Sequence, residues 1–104
     1  MRKQCHNPYM PLWEHVPDGE PHVFGDRLYV FGSHDLENGN EFCEQDYVCW
    51  SAPVKDLSDW RCDGVIYKKE QDPYNQDALP LYAPDVVKGT DGRYYLYYCI
   101  KFQD

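Results

Sequence analysis

The chain has 104 residues, a formal net charge of −8 and 42% hydrophobic residues, of which aromatics make up an unusually large share at 16% of the chain. That length allows one small domain or a piece of a larger one. The acidity supplies no basic stripe for phosphates or anionic lipid, and no apolar run reaches membrane-spanning length, so nucleic-acid and membrane partners are not expected.

In chain order, residues 1–19 are rich in Pro and aromatics without helical or strand period, as in Asn7-Pro-Tyr-Met-Pro-Leu-Trp13. They read as an extended segment lying over the domain. Met1-Arg-Lys-Gln-Cys-His6 carries two positive charges but no apolar stretch behind them, so it does not read as a secretory signal. Strands are predicted at His22–Phe24 and Leu28–Ser33, across the Gly25-Asp26 turn. A polar loop over 34–45 leads to a third strand, Tyr47–Ser51. Lys55–Trp60 is a short turn, and Trp60–Tyr67 is a fourth strand broken by Asp63-Gly64. A second polar loop over 68–81 precedes strands at Val86–Lys88 and Tyr94–Ile100. No helix is expected.

Two stretches look like one unit written twice. The first is Asp18-Gly-Glu-Pro-His-Val-Phe-Gly-Asp-Arg-Leu-Tyr-Val-Phe-Gly-Ser-His-Asp35, and the second is Tyr82-Ala-Pro-Asp-Val-Val-Lys-Gly-Thr-Asp-Gly-Arg-Tyr-Tyr-Leu-Tyr-Tyr98. Each runs from an Asp through a short apolar strand, a Gly/Asp turn and an Arg to an aromatic strand. Repeated β-units point to radial assembly. The repeat places Asp18 and Asp85 at nearly equivalent positions, facing one central site. One four-strand sheet and half of another fit the interval, and a sheet ended there leaves an open edge, so the chain reads as a fragment. Five such units would make roughly 300 residues.

The order and spacing of these stretches, with Asn7-Pro and Tyr47-Val-Cys-Trp-Ser-Ala-Pro-Val-Lys-Asp-Leu-Ser-Asp-Trp60, resemble the N-terminal part of glycoside hydrolase family 43. The resemblance implies an all-β fold, the first one and a half blades of a five-bladed β-propeller. Residues 1–104 would be the N-terminal part of a single propeller catalytic domain, with 1–19 an extended segment, 20–67 the first blade and 83–104 the start of the second. It implies hydrolysis of arabinofuranosyl or xylosyl linkages in plant polysaccharides or oligosaccharides, with inversion. Asp18, eight residues before Asp26, matches the family's general base. Asp85, after Ala83-Pro84, matches the carboxylate that orients the acid and tunes its pKa. The general-acid Glu belongs to a third blade beyond residue 104, so the 104 residues alone are expected to be inactive. Gly19 and Tyr82 depart from the family's usual Pro and Trp, which leaves the sugar open.

Inversion needs a base for water and an acid for the leaving oxygen, about 6.5–9.5 Å apart. Flat apolar rings pack on sugar C–H groups, and Trp13, Phe31, Trp50 and Tyr82 are the candidate stacking residues. His34 is a candidate hydrogen-bonding residue near the pocket. Tyr29, Tyr95 and Tyr97 read as core. The four histidines, with Cys5 beside His6, match no zinc template, so no metal is expected here. The resemblance allows a calcium ion in the full-length protein, held by a later blade. No cofactor is expected. Five cysteines, an odd number with no CxxC pair, favour free thiols and a cytoplasmic setting. Two other readings stay open: a non-catalytic glycan-binding β module, and a fragment that self-assembles into homo-oligomers through exposed strand edges.

Overall fold

A computed structural model of the chain describes residues 9–11, 13–39 and 43–101. Cys5, His6 and the Asn7-Pro pair lie outside the described residues, as does the end of the chain. Six strands follow in order: β1 (Glu20–Phe24), β2 (Arg27–His34), β3 (Gln45–Pro53), β4 (Arg61–Tyr67), β5 (Leu81–Lys88) and β6 (Tyr94–Ile100). The only helical element among the described residues is one 3₁₀ turn, Lys69–Gln71. No described helix is long and apolar enough to cross a membrane.

β1 to β4 form an antiparallel meander, and β5 and β6 form a separate two-stranded sheet. Gly25 closes the first hairpin at φ +65°, and Gly92 holds the second turn at φ +82°. Both are left-handed values that cost glycine nothing. β5 starts five residues earlier than its apolar Val86–Lys88 run implies. The pairing slips between Tyr82 and Asp85, so Ala83 and Pro84 stand outside the ladder. Proline has no N–H for a ladder, and a bulge absorbs it. Ala83 takes φ +30°, a strained value for a residue with a Cβ.

The meander is covered on one face by the segment before it. Val16 lies against Gly32 so closely that a Cβ there would collide with it. The Asp35 N–H donates to the His15 carbonyl at 2.9 Å. Trp13 packs on Trp50, ring centroids 5.8 Å apart.

The opposite face receives the second sheet. Phe31, Cys49 and Val86 form the buried core of that contact, with Phe24, Tyr29 and Leu96 around it. Two polar ties flank it. The Tyr47 hydroxyl, fully buried, donates to the Tyr82 carbonyl at 2.5 Å. Tyr67 and Tyr98 share a hydroxyl contact at 3.0 Å, and Tyr98 donates to buried Asp72 at 2.6 Å. Tyr94, Leu96 and Tyr98 turn toward the meander. Tyr95 and Tyr97 do not: the expectation of core tyrosines fails for both, which are exposed on the far side of β6. Alternation along a strand sends successive side chains to opposite faces, and among the described residues this sheet has a partner on one face only.

Candidate active site

The two candidate carboxylates come from different local structures. Asp18 precedes β1, is exposed and stands at φ +55°, a left-handed value that Asp tolerates better than most residues. Asp85 lies inside β5, directly after the bulge, opposite Tyr97. Their expected equivalence is not what the strands show. Counted back from the two hairpins, the place of Asp85, fourth in its ladder, is held in the first sheet by Pro21. Asp18 stands outside the strand altogether. The bulge in β5 has no counterpart in β1, and it offsets the two units from each other.

The residue that meets Asp85 is His22. Its Nε2 lies 2.6 Å from Asp85 Oδ1. The same oxygen accepts the Val86 N–H at 2.8 Å. The hydrogen bond from His22 is the main cause that holds the Asp85 carboxyl below the usual aspartate range. His22 is itself stacked on Phe24, centroids 5.6 Å apart and planes 15° from parallel. Glu20, two residues before it on β1, completes a group whose donor atoms fall within 4.8 Å of one another. This is one half-buried imidazole and two exposed carboxylates, with the imidazole nitrogen already engaged. A calcium ion takes six to eight oxygen ligands, so the set does not fit one.

An apolar cavity of about 470 Å³ lies between the sheets, lined by Phe24, Tyr29, Phe31, Cys49, Val86 and Tyr94. It sits toward the hairpin ends of the strands, away from Asp18. Burial first, then Asp63, pushes the Cys49 thiol up to about 12. Cys43 and Cys49 are buried free thiols, and Cys62 and Cys99 are exposed ones.

No family model matches the chain. It is 63% identical over 101 residues to a xylosidase/arabinosidase of Thermoclostridium stercorarium, covering 96% of this chain and 21% of that protein. It is 34% identical over 101 residues to xylosidase/arabinosidase 43A of Humicola insolens, covering 85% of this chain and 29% of that protein. The solved structure of RS223 β-xylosidase superposes on it with a TM-score of 0.67 at 28% identity, over 86% of this chain and 29% of that one. The chain belongs to glycoside hydrolase family 43. It spans between a fifth and a third of the length of these relatives. Its fold is one and a half blades of a β-propeller, the meander being the complete blade.

Within this family 43 chain, the candidate sugar-stacking residues divide. Trp13 is 69% exposed, and its ring is accessible. Tyr82 is half-buried, and its carbonyl is taken by Tyr47. Phe31 and Trp50 are buried, Phe31 against Tyr29 in the inter-blade core and Trp50 beneath Trp13. Neither presents a face to a sugar here. Both sit where alternation turns them into a packed interface, one on each side of the first blade.

His34 is not directed to a pocket either. Its Nε2 lies 2.5 Å from Glu14 Oε1, and Trp50 Nε1 donates to Glu14 Oε2 at 2.8 Å. Glu14, with a side chain only 4% exposed, is thus a buried hub tying the leading segment to β2 and β3. Sequence reasoning passed over Glu14 and His22. For His22 a signal was available: alternation puts Glu20, His22 and Phe24 on one face of β1, a polar ring among aromatics. For Glu14 there was none, since nothing local relates it to residues 20 and 36 positions away.

Proposed function

We propose that the protein carrying this chain is a glycosidase that cleaves xylosyl or arabinofuranosyl linkages with inversion. Asp18 serves as general base and Asp85 as the carboxylate that orients the acid and tunes its pKa. The general acid is a Glu contributed by a later blade. The observation that carries this reading is the junction of the two inner strands: Asp85 is held ionised beside β1, and Asp18 leads into that same strand. The names of the relatives supply the substrate class.

The division of labour follows from the chemistry. A base must take a proton from water, and Asp18 is exposed to solvent just ahead of β1. An ionised carboxylate next to a second carboxyl keeps that second group protonated by like-charge repulsion. Asp85 fits that role because its hydrogen bonds favour the charged form. Trp13 is the side chain with an open ring for a sugar face. Carbohydrate is the partner.

The test is turnover of aryl xyloside and arabinofuranoside by the complete protein, its Asp18→Asn and Asp85→Asn variants, and the 104 residues alone. Both variants are expected to lose at least about a hundredfold in turnover, the share general acid–base catalysis contributes, and the short chain to be inactive. Proton NMR of the first-formed sugar should show the inverted anomer. Unimpaired turnover by Asp18→Asn, or a retained anomer, refutes the reading.

A further inference from the structure

We infer that Gly32 and Val16 are positioning residues for the general base: a notch on β2 and the knob that fills it, together fixing where Asp18 stands. The inference rests on the proposed role of Asp18. Gly32 is buried, and a Cβ placed on it would meet Val16 Cγ1 at 2.2 Å, the Gly19 Cα at 3.5 Å and the Pro17 carbonyl oxygen at 3.5 Å. The last two belong to the residues on either side of Asp18. The backbone of the candidate base therefore straddles the glycine of β2.

The hold continues in both directions. Upstream, the Asp35 N–H donates to the His15 carbonyl at 2.9 Å, and Glu14 is tied to His34 and Trp50. Downstream, a Cβ on Gly19 would stand only 2.9 Å from Val30 Cγ1, and Glu20 pairs with Phe31 in the ladder. Asp18 is the residue these contacts leave out. It is exposed, and its φ is +55°. A left-handed φ on a residue with a Cβ persists where the surroundings over-determine it, and such strain gathers at functional sites. Gly32→Ala forces Val16 back by roughly 1 Å or more, to the distance at which carbon atoms rest against each other. Pro17 and Gly19 ride on the same stretch, so Asp18 moves with it. A misplacement of about 1 Å costs up to about a hundredfold in rate.

The test uses the complete protein and a dinitrophenyl glycoside, whose leaving group departs without protonation, with and without sodium azide. Water needs Asp18 to take its proton, and azide has no proton to give. Azide nitrogen bonds to the anomeric carbon as the bond to dinitrophenolate breaks, which yields the glycosyl azide of inverted configuration. Asp18→Ala should be slow in buffer and accelerated about tenfold or more by azide. Gly32→Ala should lose about ten- to a hundredfold in kcat in buffer, with KM little changed, and azide should restore most of the loss. Adding Val16→Ala to Gly32→Ala frees the space the new methyl needs, so the double variant should regain most of the parent rate without azide. General damage to the blade slows both nucleophiles alike. A Gly32→Ala loss that azide leaves unchanged, while it rescues Asp18→Ala, therefore overturns the inference. A Gly32→Ala kcat within about twofold of the parent overturns it too. Should Gly32→Ala not fold, Val16→Ala, which removes the knob and leaves β2 intact, decides by the same comparison. If azide fails to rescue Asp18→Ala, or the parent is inactive, the proposed role of Asp18 falls and the inference with it.

Discussion

Replacing Glu14 by Ala should cost more stability than any other single change to a charged residue in the first blade. The carboxylate is 4% exposed and serves two side chains at once. Trp50, also 4% exposed, would be left with a buried indole N–H and no acceptor, at about 1–3 kcal/mol. His34 is 20% exposed and can turn to water, so its lost bond counts for about 1 kcal/mol. The sum is about 2–4 kcal/mol, a large part of the roughly 5–15 kcal/mol that holds a typical domain together. With a urea slope of about 2 kcal/mol per molar, the midpoint should fall by about 1–2 M. Glu14→Gln keeps one acceptor oxygen and should lose about half as much. The assay is urea unfolding followed by tryptophan fluorescence, run also in a Trp50→Phe background. There Glu14→Ala should cost less by about 1–3 kcal/mol, because the stranded donor is gone. A Glu14→Ala unfolding free energy within about 0.5 kcal/mol of the parent, a shift typical of an inconsequential surface site, would refute the hub.

Gly32→Ala should destabilise by about 1–3 kcal/mol through overpacking against Val16, and Val16→Ala should restore much of the loss in the double variant, as read by thermal unfolding. Tyr47→Phe removes the donor to the Tyr82 carbonyl and should cost about 1–3 kcal/mol in denaturant unfolding, since that hydroxyl is fully buried. Asp85 has a folded-state pKa below its unfolded value. Its contribution is therefore full above the ordinary aspartate range and is lost as pH falls through the lower folded value. The stability difference between parent and Asp85→Asn should accordingly shrink as a pH series descends through that range, and a difference that stays constant would contradict the assignment. Iodoacetamide at neutral pH should label Cys62 and Cys99 well before Cys43 and Cys49, as mass spectrometry of peptides would read out, because burial raises both of the latter thiols.

The strands were legible because their signals are local. Gly25-Asp26 and Asp91-Gly92 mark hairpins, and β-branched and aromatic runs between them mark strands, so all six were found within a few residues. β5 was shortened because Pro84 hides a strand start behind a bulge, and a bulge is a property of the pair of strands rather than of either sequence. The site was legible only where a residue sits beside a strand signal, as Asp18 and Asp85 do. Which aromatics are covered was not, since burial depends on what lies over each face. Trp50 and Phe31 are covered by chain from opposite directions, while Tyr95 and Tyr97 have the same composition around them and are open.

The leading segment gives the first blade an order of assembly during synthesis. Residues 13–19 leave the ribosome before the strands they cover, so Glu14 and Val16 are already waiting when β2 and β3 emerge. The meander then closes by pairing consecutive strands, and such local pairing forms fastest. From that moment the nascent blade has a single sticky side, the one bearing Phe31 and Cys49. Only β5, less than twenty residues further on, has to arrive to shelter it. A growing chain with one unsatisfied apolar side for so short an interval gives partly made neighbours little opportunity to adhere.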